Sequence, residues 1–242
     1  MEDHENLYDK IRELFGQNPG NFNIMEDNID MDLQMEYFES SRKLARQYDD
    51  NWAIDQIEIL ENPDVTTEEK KQVLARLATI NNVTVYRVIE AYAKDPAPDL
   101  KDWTNMALQE SRMHIEGQLL GENQIFISTG LGGRDDKLRY FVVLIGKERK
   151  PFTPLQLKII KSEFPYILEG YSGEVEDFLT EGYLAAFQVL LPIQHAVKKT
   201  FQDGISECNN YGFFLEDTCI VTNVKILSFQ EVRDFLEKKN KQ

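Results

Sequence analysis

Residues 118–145, QLLGENQIFISTGLGGRDDKLRYFVVLI, separate two kinds of hydrophobic pattern. Up to Leu120 apolar residues recur at a period near 3.6. From Gln124 onward they form strand-length blocks rich in Ile, Phe, Val and Tyr. Residues 124–129 and 138–145 read as strands. Between them Gly130-Leu131-Gly132-Gly133-Arg134-Asp135-Asp136-Lys137 reads as a glycine-rich hairpin loop. Leu120-Gly121-Glu122-Asn123 reads as a boundary. The expected class is α+β, with an acidic helical segment over 1–50, a short-helix array over 51–120 and an α+β domain over 121–242.

Working back from that boundary, Leu7, Ile11, Leu14 and Phe15 fall at i, i+4, i+7, i+8 and predict a first helix, ended by Gly16 and Pro19-Gly20. A second is predicted over 32–48, with Leu33, Tyr37, Leu44, Ala45 and Tyr48 on its apolar side. The acids of 26–32 suit a solvated loop and a helix N-terminus. Short helices then follow. Thr66 and Glu69 form a capping box ahead of Val73, Leu74, Leu77 and Ala78. Val85, Val88, Ile89 and Tyr92 mark the next helix, and Trp103, Met106, Ala107 and Met113 the last. Through Ala75-Arg76-Leu77-Ala78, Val85-Tyr86-Arg87-Val88-Ile89 and the short turn between them, residues 51–118 resemble α-helical repeats of the HEAT or armadillo kind. That resemblance implies a stacked array presenting a broad binding surface. Two units fit, whereas solenoids usually need three or more. A plain helical bundle is the other reading.

Working forward, Thr153-Pro154-Leu155-Gln156 is a second capping box with proline at the first helical position. Pro165 is expected to disturb or end its helix. Residues 175–191 read mostly as strand, with Ala185-Ala186 leaving a helix open over 184–191; as a strand, 184–191 is either interior or pairs across a homodimer. Ile193, Val197, Phe201, Ile205 and Cys208 line a helix, 219–227 form a strand, and Ser228 with Glu231 opens a last helix. The order β-β-α-β-α-β-α predicts a roughly four-stranded sheet with helices on one face.

The 242 residues carry a formal net charge of −15. This argues against general affinity for nucleic acid or anionic membrane. Most of the excess is at the front: residues 1–64 hold 17 acids and 5 bases. An acidic start without an apolar run, and only two cysteines, point to the cytoplasm. A protein partner is expected, with no cofactor and no membrane.

The chemistry-bearing residues are few. Gly130, Gly132 and Gly133, with Arg134, Lys137 and Arg139, are the candidate ligand-binding set, because glycine backbone N–H groups can form an anion nest. Glycines serving a hairpin's positive φ are the alternative. Nucleotide loops run from strand to helix, and this one joins two strands. A basic run over 134–161 surrounds the loop. It is open to an anionic partner, to the chain's own acidic segment, or to solvent. His4, His114 and His195 are isolated, and no His/Cys pair has metal-ligand spacing. Cys208 shares its face with Ile193 and Ile205 and reads as core. Glu110, with Arg112 and His114, is placed for a buried polar contact. No catalytic signature emerges. The expectation is a protein-interaction or adaptor module; the alternative is a small anionic-ligand protein or enzyme using the loop at 130–134.

Overall fold

The computed structural model describes residues 22–120 and 125–239. The predicted first helix, His4 and most of the boundary at 120–123 lie outside them. The protein is α+β, and its described residues fall into two compact units, one within 20–127 and one within 128–242.

The first unit is built on helices α1 (Met31–Gln47), α2 (Asp50–Ile54), α3 (Thr67–Ala78), α4 (Val83–Tyr92) and α5 (Lys101–Leu120). Helix α3 touches the other four. Its residues Val73 to Ala78 are all buried, Arg76 among them. A helix hydrophobic on nearly every side is one surrounded by others. The Thr66 capping box is formed as expected, and Asp30, Asp49 and Asn82 cap α1, α2 and α4. The core gathers Tyr37, Leu74, Leu77, Ile89, Trp103 and Met106. It also takes in Met25 and Ile29, so the acidic stretch before α1 is not merely a solvated loop.

The strand expected over 124–129 does not join the larger sheet. Its core β2 (Ile125–Ile127) pairs in parallel with β1 (Phe22–Ile24) within the first unit. Sequence patterning identifies a strand but not its partner, and this one is supplied about a hundred residues earlier.

The second unit holds a five-stranded antiparallel sheet. Strands β3 (Gly133–Arg134), β4 (Lys137–Ile145), β6 (Leu184–Pro192) and β5 (Glu174–Glu181) lie in that order, with β7 (Ile220–Thr222) also on β4. The apolar run expected as one strand over 175–191 is a hairpin turning at Gly182, whose φ is +61°. Strand β6 is bonded on both sides, to β4 and β5, so it has no edge to offer a second copy.

Register places Tyr140 opposite Val189 and Val142 opposite Phe187 on one face. Helices α6 (Pro154–Gly170) and α7 (Val197–Asn209) contribute Phe164 and Phe201 there, Phe164 stacking on Phe187 at 4.9 Å. Helix α6 runs through Pro165 rather than ending there. An interior proline costs about 3 kcal/mol. Burial of Ile160, Phe164 and Leu168, at about 1.5–3 kcal/mol each, outweighs it. On the other face Phe141, Val143, Ile145, Leu184 and Ala186 pack with Leu131 and with Val232 of helix α8 (Phe229–Lys239). Helices therefore cover both faces, not one. The Thr153 box forms, and Ser228 and Glu231 exchange the same pair of bonds ahead of α8.

Candidate functional site

The glycine segment is packed and internally bonded. A Cβ on Gly130 would lie 1.8 Å from the carbonyl oxygen of Val224. Only glycine permits that approach. Gly132 adopts φ +64°, and Gly133 is buried in β3 opposite Leu138. The Leu131 N–H donates to the Asn223 carbonyl and the Gly132 N–H to the Thr129 carbonyl, so neither is free to hold an anion. The hairpin tip is Asp135-Asp136, between β3 and β4, with Asp135 at φ +54°.

The three predicted cations face carboxylates across the sheet. Arg134 and Lys137 both donate to Glu174, and Arg139 forks onto Glu176 through Nε and Nη2 while Nη1 reaches the Leu131 carbonyl at 2.8 Å. Lys137 first, then Arg134, holds the Glu174 carboxyl below the usual range; Arg139 does the same for Glu176. The rest of the basic run is partly engaged. Lys150 pairs with Glu148, Lys147 lies 5.9 Å from the Phe213 ring, and Lys161 lies 4.6 Å from the Phe178 ring.

Neither thiol is primed for nucleophilic work. Burial pushes Cys208 up to about 12 and Cys219 up to about 11. Among the described residues no group of three or more His, Cys, Asp or Glu side chains is placed to hold a metal ion. His195 lies edge-on to Tyr171, whose hydroxyl donates to Asp203 beside Lys199. Half-buried Glu110 accepts from Tyr37 at 2.7 Å and from Ser41 at 2.8 Å, whereas Arg112 and His114, grouped with it in the sequence, are exposed.

Sequence reading missed a site at the end of α7. After Asn209 the chain runs Asn210-Tyr211-Gly212-Phe213-Phe214-Leu215. Phe214 and Leu215 are buried, whereas Tyr211 is 57% and Phe213 74% exposed. The buried Asn209 side chain clamps the segment, accepting from the Leu215 N–H at 2.9 Å and donating to its carbonyl at 3.0 Å. Gly212 takes φ +144° and Phe213 φ +48°. Left-handed backbone is uncommon for a bulky side chain and costs about 1–3 kcal/mol. The neighbouring segment has two more such residues, Glu148 at φ +56° and Arg149 at φ +54°. The two segments are bonded together, Lys147 N–H to the Phe214 carbonyl and Glu148 N–H to the Glu216 carboxylate. The signal in the sequence is a pair of aromatics, Tyr211 and Phe213, astride Gly212 in a polar turn.

Among the described residues no helix is long and apolar enough to cross a membrane. No protein-family model and no curated protein sequence matches the chain.

Proposed function

We propose that the protein is a cytoplasmic protein-interaction module and that Tyr211 and Phe213 are anchor residues for its partner. The supporting observation is Phe213 itself. It is a large aromatic, three-quarters exposed, in a left-handed conformation on a mount fixed by Asn209, Phe214 and Leu215. An exposed aromatic on a rigid mount loses little freedom on docking, and aromatic anchors dominate binding energy at protein interfaces. Glu148, Arg149 and Phe213 are three of the five described non-glycine residues at positive φ, and backbone strain clusters at functional sites. The cytoplasmic setting rests on two free cysteines, one of them fully buried. A repeat-like reading of the first unit's short helices would add a second binding surface, by analogy of architecture alone.

The anionic-ligand alternative at residues 130–134 is less well supported. A ligand there must displace Glu174 and Glu176 from Arg134, Lys137 and Arg139. Arg134→Glu combined with Arg139→Glu abolishes anion binding if that alternative holds, and leaves partner binding intact if it does not.

The test is quantitative affinity capture from the native host with wild type and with Tyr211→Ser/Phe213→Ser. Partners retained by wild type and lost by at least about tenfold in the variant, with unchanged thermal unfolding, support the reading. Equal recovery by both proteins overturns it.

A further inference from the structure

The first 64 residues hold only five bases, and three of them, Arg42, Lys43 and Arg46, fall within five consecutive positions of α1. At 100° per residue these three project directly away from the inward face made by Gln34, Tyr37, Ser41 and Leu44. All three are exposed, and Met35, 55% exposed, lies on the same outward strip. Arg42, Lys43 and Arg46, with Glu39 and Gln47, line a shallow, open concavity of about 480 Å³.

In a segment with 17 acids, three cations would be expected to find partners. Lys71 does so with Glu36, and Arg76 with Asp50. With the described residues Arg42, Lys43 and Arg46 make no ion pair and no side-chain hydrogen bond, although Glu39 stands three and four residues before Arg42 and Lys43, at ion-pair spacing. The helix macrodipole accounts for Arg46, in the last turn, but its effect fades before Arg42. What is left over is a cationic strip with an apolar end, on an otherwise acidic chain.

We propose that this outward face of α1 docks an acidic segment of a partner protein, two or more carboxylates at helical spacing seated on Arg42, Lys43 and Arg46 and an apolar side chain on Met35. The inference deepens the protein-interaction reading and rests on it, but through a surface that shares no residue with Tyr211 and Phe213. Guanidinium groups take carboxylates in a fork, so two arginines at i, i+4 match two carboxylates at the same spacing. Charge complementarity also selects the class of partner. A nucleic acid presents a continuous run of phosphates to a chain of net charge −15, and the surrounding field opposes it. A short acidic peptide meets three cations against the single carboxylate of Glu39.

The test uses the full chain and a labelled helical peptide carrying Glu at i and i+4 with a Leu two turns from the nearer Glu, matching the seven residues from Arg42 to Met35, read by fluorescence anisotropy. A peptide with Lys for each Glu and a single-stranded oligothymidylate serve as comparisons. The expected result is binding of the Glu peptide alone, weakened at least about tenfold by Arg42→Glu/Arg46→Glu with unchanged thermal unfolding, and unchanged by Tyr211→Ser/Phe213→Ser. Tighter binding of the oligonucleotide, indifference to the charge reversal, or no binding of the Glu peptide each overturns the proposal. Sensitivity only to the Tyr211 and Phe213 changes also overturns it, while leaving the interaction reading standing.

Discussion

The Tyr37 hydroxyl, fully buried in the first unit, donates to the Glu110 carboxylate at 2.7 Å and so ties α1 to α5 across 73 residues of sequence. Burial first, and the Glu110 charge second, hold the phenol well above its ordinary range. Among the described residues, Tyr37→Phe leaves Ser41 as that carboxylate's remaining donor. A bond to a charged group contributes about 1.5–3 kcal/mol, so the urea midpoint should fall accordingly. If Tyr37→Phe and Glu110→Gln prove additive in a double-mutant cycle, the two are not coupled.

Arg76 is a second fastening. Its side chain is 5% exposed and reaches the Tyr48 carbonyl at 3.0 Å, Thr79 at 2.7 Å and Asp50. Arg76→Ala should destabilise by about 2–4 kcal/mol, since it removes several charge-assisted bonds at once. Arg76→Lys should recover little, because a single ammonium does not reproduce the fork. Chemical denaturation of both variants checks this, and full recovery by lysine would contradict it.

Gly130→Ala places a methyl group against the Val224 backbone, where no side chain can rotate aside. The segment must shift, at a cost of about 1–3 kcal/mol. Calorimetry on this variant tests the packing role of the glycine. An unchanged melting temperature would mean that the approach of the two segments is not obligatory.

The three helix starts at Thr66, Thr153 and Ser228 are equivalent in geometry. Alanine at any of them should destabilise by about 0.5–2 kcal/mol. Three null results by denaturant titration would show that these caps do not set the helix boundaries.

Acid should act on the second unit. Lys137 and Arg139 hold Glu174 and Glu176 below the ordinary carboxylate range, and Lys225 with the Ser228 cap holds Glu231 down to about 2. Each folded value lies below the unfolded one, near 4.3, so each contribution is complete above that value and lost as pH falls through the folded one. Urea midpoints measured from about pH 6 down to about pH 3 should decline, and Glu174→Gln/Glu176→Gln should flatten the decline. An identical slope in the variant would show that the cross-sheet ion pairs carry no linkage.

Local pattern determined much of this protein. The α+β class, the change of period near residue 120, the capping boxes and the core positions of Val73, Leu74, Leu77 and Cys208 follow from periodicity and from backbone groups satisfied within a few residues. Partners distant in sequence were decided only by the tertiary structure. Strand β2 pairs with β1, residues 175–191 fold as a hairpin, and α6 runs through Pro165 because packing outweighs the proline. The fate of the cations was equally out of reach. Arg134, Lys137 and Arg139 meet carboxylates about 37 to 40 residues away, whereas Arg42, Lys43 and Arg46 meet none among the described residues. Charge and apolarity are properties of a residue and can be read one position at a time. Pairing, strain and exposure are properties of two segments brought together, and no single stretch of sequence contains them.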